Sequence, residues 1–208
     1  MSQGKLLLFF DTETTGLPLW GEPSEDPRQP HIVQLSALLV EEDTRKVVEE
    51  LDVLVKPEGW TIPDEVVAIH GITTEHALEH GISEAEALRR FLALHELCDE
   101  RVAHVENFDQ RIIRIALKRY RSDEAADAWK AAPAQCTGKM TALIMQMPLA
   151  KKTPWAKWKT PKLAEAYLEF IGKPMAGAHS AGADTRACME IFFAVHDRLA
   201  AAAKPIAV

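Results

Sequence analysis

Five apolar residues in succession, "LLLFF" (6–10), run straight into an acidic pair, Asp11 and Glu13, and the segment stops at Gly16. A short continuous apolar run bounded by a turn residue reads as a strand covered on both faces. "IVQLSALLV" (32–40) and "VVEELDVLV" (47–55) carry strand-forming residues on either side of a polar "EEDTRK", the pattern of an antiparallel hairpin added to the first strand. The period then changes. "IPDEVVAIHGIT" (62–73) predicts a short helix closing at Gly71, and Ser83 with Glu86 forms a capping box that opens a helix over "SEAEALRRFLALHELC". "RVAHV" (101–105) reads as a short strand, and an amphipathic helix starts at Phe108 with "FDQRIIRIALKRY". Two more helices are expected over "KLAEAYLEFIG" and "ADTRACMEIFFAVHDRLAAAA", the last frayed out by Pro205. Pro18, Pro23, Pro27 and Pro30 leave 18–31 as a surface loop. Three strands followed by strands alternating with helices predict an α/β domain with a mixed sheet.

Composition narrows the class. A hydrophobic fraction of 47% and a charged fraction of 26% are those of a soluble globular protein. Cys98, Cys136 and Cys188 are odd in number and form no CxxC pair, so neither a disulfide framework nor a thiolate zinc cage is expected; a reducing, cytoplasmic setting fits. No apolar run approaches the roughly 20 residues of a membrane span, so no membrane partner is expected. The net charge of −7 argues against coating nucleic acid through bulk positive charge, and leaves room for a local basic groove.

The acidic pair carries the chemistry. Residues two apart on a strand share a face, so Asp11 and Glu13 aim at one point just beyond the apolar run, at the carboxyl end of a strand where α/β sheets gather their sites. Buried carboxylates there need compensation, which a hard divalent cation supplies. Asp109, in "HVENFD" at the start of a helix, and Asp184, in "AHSAGAD" early in the last helix, are the further acidic candidates. Four carboxylates together would be balanced by two divalent ions. His179 stands five positions before Asp184; on one helix the two would point about 140° apart. They converge only if His179 lies on the loop containing Gly177, with Asp184 one turn into the helix. A histidine there, with an ordinary pKa of about 6.5, can take a proton from water.

These segments resemble the DEDD exonuclease superfamily, in the histidine-containing branch that includes the proofreading epsilon subunit of bacterial DNA polymerase III. "FDTETTGL" is similar to the first motif, "VAHVENFD" to the second and "AHSAGAD" to the third. "IPDEVVAIHGIT" and "KWKTPKLAEAYLEFIGKP" resemble the stretches between them. The resemblance implies a ribonuclease H-like fold, with a mixed five-stranded sheet flanked by helices and residues 1–208 forming a single exonuclease domain. It also implies metal-dependent 3′→5′ hydrolysis of terminal phosphodiester bonds, with release of nucleoside monophosphates. Carried over by position, Asp11, Glu13, Asp109 and Asp184 become ligands of two Mg²⁺ or Mn²⁺ ions, and His179 the general base. Thr12, Thr14, Gly16, Leu17, Glu65, His70 and Phe108 become substrate contacts. The implied partner is nucleic acid, with single-stranded DNA 3′ ends expected and an exoribonuclease as the alternative; a DNA polymerase partner would be supplied by another chain. Two departures stand out. The second motif commonly reads H-N-x-x-F-D, whereas Val105 follows His104 here and an Asn stands at 107. In the third, Gly182 replaces a larger apolar residue, which is expected to loosen the loop carrying His179.

Two basic stretches could approach substrate. Arg111, Arg114, Lys118 and Arg121 recur at helical steps, as a substrate stripe or simply a solvated helix back. "KKTPWAKWKTPK" (151–162) alternates lysines with Trp155 and Trp158, suited to phosphate contact and base stacking, or to a surface loop with one Trp tucked into the core. Two other functions compete. "HALEH" (76–80) fits H-x-x-E-H, in which His76, Glu79 and His80 would serve a zinc peptidase, although no third ligand is evident. A non-catalytic nucleic-acid or polymerase-binding module is the other, against which the intact acidic set speaks.

Overall fold

The computed structural model describes residues 4–177 and 179–203. Five strands form one sheet in the order β3-β2-β1-β4-β5: β1 (Leu6–Thr14), β2 (Ile32–Glu41), β3 (Val47–Leu54), β4 (Glu100–Ala103) and β5 (Ala134–Cys136). β1, β2 and β3 pair antiparallel, while β4 and β5 extend the other side of β1 in parallel. The helices among the described residues are α1 (Asp64–His70), α2 (Thr74–His80), α3 (Glu84–His95), α4 (Glu106–Tyr120), α5 (Asp123–Ala131), α6 (Thr137–Met145), α7 (Leu163–Ile171) and α8 (Ala181–Ala203). This is the expected α/β, mixed five-stranded arrangement. None of these helices is long and apolar enough to cross a membrane.

The central strand explains the apolar run. Leu7 and Phe9 face one way and pack with Leu38, Val40, Val102, Cys188, Phe192 and Phe193, the α8 side. Leu8 and Phe10 face the other way, in a cluster with Phe91, Ile112, Ile113, Ala116 and Trp129 from α3, α4 and α5. With helices on both faces, β1 has no solvated side to mark with polar residues.

Several boundaries differ from the sequence reading. β1 does not stop at Phe10; its pairing with β2 continues through Asp11, Thr12 and Glu13, opposite Ser36, Leu35 and Gln34. The acidic pair therefore lies inside the strand. α4 begins at Glu106, two residues before Phe108, because Val105 takes a left-handed conformation (φ 62°) that ends β4 and turns the chain into the helix. Asp109 is thus the fourth residue of α4. The segment from α5 through β5 to α6 carried no prediction: β5 is only "AQC", too short to show alternation.

Candidate active site

Two helices each bring one carboxylate to the end of β1. On α8, residues 184, 188 and 192 recur at one-turn steps and form a row. Cys188 and Phe192 pack over Phe9 and Leu7, so Asp184 at the head of the row falls beside Asp11 and Glu13, next along the same strand face. One carboxylate oxygen from each of Asp11, Glu13 and Asp184 lies within 4.8 Å of the others.

Asp109 comes from the opposite face. β4 pairs with β1 only along Leu7–Phe9, so beyond that point one edge of β1 lacks a strand. Asp109 fills the gap: its Oδ1 accepts the Thr12 backbone N–H (3.1 Å) and the Thr12 hydroxyl (2.8 Å). It is near enough to Asp11 to oppose its ionisation, yet it stands outside the three-carboxylate cluster. Three of the four expected acidic residues converge, and the fourth is held against the strand edge beside them.

The cluster resists carrying its charge. Burial, and then the neighbouring Asp109, Asp184 and Glu13, hold the Asp11 carboxyl well above the usual range. Burial followed by Asp184 pushes Glu13 to about 7. Burial raises Asp184 to about 6, partly offset by the His179 ring and backbone. Asp109 is raised by burial despite its bonds to Thr12. Asp184 Oδ1 is buried with no hydrogen-bond partner among the described residues. Three converging carboxylates, one of which carries a buried oxygen with no partner among the described residues, are a donor set that suits a hard divalent cation.

His179 and Asp184 stand as the sequence geometry required: His179 precedes the start of α8 and Asp184 lies one turn in, its backbone N–H donating to Ser180 O (2.9 Å). His179 is exposed, and both it (φ 69°) and Gly177 (φ 70°) adopt left-handed backbone. The glycine at 182 does not simply loosen this loop. A side chain there would meet Asp52 Oδ2 at 2.5 Å, so Gly182 lets the start of α8 close on β3. Gln34 completes the junction, donating to Asp52 Oδ1 (2.8 Å) while its Oε1 accepts the Ala181 N–H (3.1 Å).

Beside the carboxylates a pocket of about 320 Å³ is lined by Thr12, Glu13, Thr14, Gly16, Leu17 and Phe108, with His70, Val66 and Ile69 from α1. All the expected substrate contacts line it except Glu65, which is exposed in the first turn of α1 and absent from the wall. Val66 and Ile69 were missed; their only signal was a place on the same short helix as His70. His70 Nδ1 accepts the Ile72 N–H (3.1 Å), which leaves the ring proton of the neutral form on Nε2, a buried atom without a partner among the described residues. Burial lowers the His70 pKa, in the direction of this neutral form.

The other motifs sort themselves. The arginines of the α4 stripe hold the proline loop: Arg111 donates to Glu22 O, Arg114 to Ser24 Oγ (3.0 Å) and Asp127 (2.9 Å), and Lys118 pairs with Asp123 (2.7 Å). Arg111 and Arg114 are thus spent on the loop, whereas Lys118 pairs with an exposed aspartate and Arg121 is itself exposed, as a solvated helix back would be. The His76 and His80 rings meet edge-on at 4.6 Å, Glu79 pairs with His80, and among the described residues they join no three-residue metal group.

A five-stranded mixed sheet with carboxylates gathered on its central strand is a ribonuclease H-like architecture. Residues 8–192 match the model of the exonuclease family RNase T, and the chain belongs to that family, whose members use divalent metals. In fold it is similar to the zinc-bound form of the E. coli exonuclease I complex with single-stranded DNA (TM-score 0.72, 22% identity, covering 95% of this chain and 42% of that one). It is also similar to E. coli exonuclease I in complex with a dA16 oligonucleotide (TM-score 0.66, 21% identity, 93% and 41% covered). Exonuclease I from Methylocaldum szegediense gives a TM-score of 0.69 at 23% identity, with 93% and 41% covered. The chain thus spans about two-fifths of the length of these structures. No match is found among curated proteins.

Proposed function

We propose that residues 1–208 form one exonuclease domain that removes nucleotides from the 3′ end of single-stranded DNA, releasing nucleoside monophosphates. The observation that carries this reading is the meeting of Asp11, Glu13 and Asp184 within 4.8 Å, next to a pocket of nucleotide size. Asp109 joins them as the fourth ligand through the oxygen not engaged by Thr12. Two Mg²⁺ or Mn²⁺ ions, when bound there, would acidify a water and neutralise charge developing on the phosphate. His179, on its exposed loop, takes the proton of the attacking water, as in the histidine-containing branch. His70 offers its Nε2–H to the terminal nucleotide, while Leu17, Ile69 and Phe108 contact its apolar surface. The unpaired cysteines fit a cytoplasmic setting, and a polymerase partner, as the epsilon resemblance implies, would be a separate chain.

End-labelled single-stranded DNA, duplex DNA and RNA, incubated with and without Mg²⁺ or Mn²⁺, test the reading. Single-stranded DNA should lose nucleotides from its 3′ end only when the ion is present. Asp11→Ala and Asp184→Ala should abolish release while circular dichroism stays that of the folded protein. Wild-type rates in either variant refute the site; faster digestion of RNA moves the assignment to an exoribonuclease.

A further inference from the structure

A groove of about 430 Å³ lies between α6 and the segment 151–162, walled by Lys139, Leu143, Trp155, Lys157, Trp158 and Thr160. Trp155 is 90% exposed and Leu143 70% exposed. Lys157 stands 5.3 Å from the centre of the Trp158 ring. Trp158 is half-buried and Lys159 is tied to Glu165 (2.7 Å), so the segment has a fixed base from which Trp155 projects. Exposed aromatic and apolar surface of this kind marks a contact site.

Charge says what kind of contact. From Ala128 to Ala164 the sequence holds seven lysines and no acidic residue, within a chain whose net charge is −7. Among the described residues Lys139, Lys151, Lys152 and Lys157 form no ion pair, in contrast to Arg114 and Arg119 of α4. A basic surface carrying aromatic rings is complementary to a strand with a phosphate backbone and unpaired bases.

Position connects the groove to the acidic cluster. Its wall residue Thr160 closes on Gly138, where a side chain would come within 2.9 Å of Thr160 and 3.3 Å of the Val105 nitrogen. His104 Nε2 donates to Pro161 O (2.9 Å) and its Nδ1 takes the Thr137 hydroxyl (2.9 Å), so β4, α6 and the 151–162 segment are tied together at this point. Val105 precedes Asp109 by four residues, about 6 Å along a helix axis.

We infer that this groove binds the single strand upstream of the nucleotide being removed, with bases stacked on Trp155 and Trp158 and phosphates held by Lys139 and Lys157. The inference rests on the nuclease reading of the acidic cluster, and supplies the strand path that the terminal pocket alone does not.

Fluorescence anisotropy with a 5′-labelled dT16 strand in EDTA, across a salt series, measures this binding without hydrolysis. Trp155→Ala should weaken affinity about tenfold and Trp155→Phe should restore most of it, since stacking contributes about 1–3 kcal/mol per base. The double substitution Lys139→Gln, Lys157→Gln should lower the slope of log K against log salt by about 1.4, at about 0.7 per phosphate contact on a single strand. Affinity and slope unchanged in both variants overturn the inference. So does a solution dimer that Trp155→Ala dissociates while strand affinity stays constant, which would give the groove to a second copy. The two readings fail separately: a protein inactive with every ion that still loses strand affinity in Trp155→Ala sinks only the nuclease assignment. An active one whose affinity ignores these residues sinks only the groove.

Discussion

Glu84 and Asp184 are both carboxylates in the first turn of a helix, and the molecule treats them in opposite ways. Glu84, 2% exposed at the start of α3, meets His31 Nδ1 at 2.7 Å and accepts the Ile32 N–H (2.9 Å), the Tyr120 hydroxyl (2.9 Å) and the Arg119 guanidinium (3.3 Å). Burial alone would raise its pKa, but the bonds from His31 and Ile32 and the charges of His31 and Arg119 together leave it lowered. Asp184 has one oxygen with no partner among the described residues, carboxylates for neighbours, and a pKa of about 6. A buried charge with its partners complete fastens β2, α3 and α4 together. One left incomplete, among others of its own sign, is a place prepared for something the chain does not itself provide.

The largest effect should therefore come from removing the satisfied carboxylate. Glu84→Ala leaves Arg119 without its counter-charge and the Ile32 N–H and Tyr120 hydroxyl without their acceptor, and is expected to cost about 3 kcal/mol, a large fraction of the roughly 5–15 kcal/mol that holds a domain folded. Asp184→Asn removes charge from a crowded set and should leave stability in EDTA equal to or above wild type, while activity is lost. Urea unfolding of the three proteins at pH 8 decides it. A loss in Asp184→Asn as large as that in Glu84→Ala would break the distinction.

Acidity sharpens the same contrast, because the two sets respond to pH with opposite sign. The folded pKa of Glu84 lies below its ordinary value, so its contribution is present above about pH 4.5 and is lost as the pH falls through the lowered folded value. Glu13 and Asp184 have raised folded values of about 7 and about 6; their contribution is complete below their ordinary values of 4.5 and 3.8 and is lost as the pH rises through 6 and 7. In EDTA, wild-type stability should decline between pH 5 and 8, and Asp184→Asn should flatten the decline. Mg²⁺ or Mn²⁺ at about 100 times its dissociation constant should restore about 2.7 kcal/mol, and chiefly at the upper end, where the carboxylates are ionised. An ion effect equal at pH 5 and pH 8 would show that the acidic cluster is not where it binds.

Much of this was legible in the sequence because local rules and tertiary demands agree. The run Leu6–Phe10 is apolar because both faces of β1 are covered, and the spacing of His179 and Asp184 fixed the start of α8 to within two residues. What escaped depended on distant partners. α5 does carry helix signals, with Ser122 accepting the Ala125 N–H, Asp123 and Glu124 in the first turn and Lys130 in the last, but its nine residues give the apolar period little room. β5 has three residues and exists because β4 leaves an edge to pair. The role of the α4 arginines was invisible because their acceptors lie on a loop some ninety positions earlier. Lys139 and Lys157 look no different in sequence from those arginines; only the fold separates cations held by internal acceptors from those left without an ion pair among the described residues.

The smallest expected effect tests the same contrast at the level of backbone. Val105 stands at φ 62° and ψ 48°, a left-handed conformation that is an outlier for a β-branched residue, and its carbonyl accepts the Phe108 N–H (2.9 Å) in the first turn of α4. The related motif commonly has Asn here, a residue whose short polar side chain tolerates that conformation. Val105→Asn should relieve about 1 kcal/mol of backbone strain and raise the melting temperature by about 2–4 °C for a chain of this size. The cost removed is conformational, so the gain should persist at pH 5 and pH 8 and be the same with and without Mg²⁺, unlike either carboxylate effect. A gain that appears only with the ion bound would mean that Val105 acts on the position of Asp109 rather than on the turn itself.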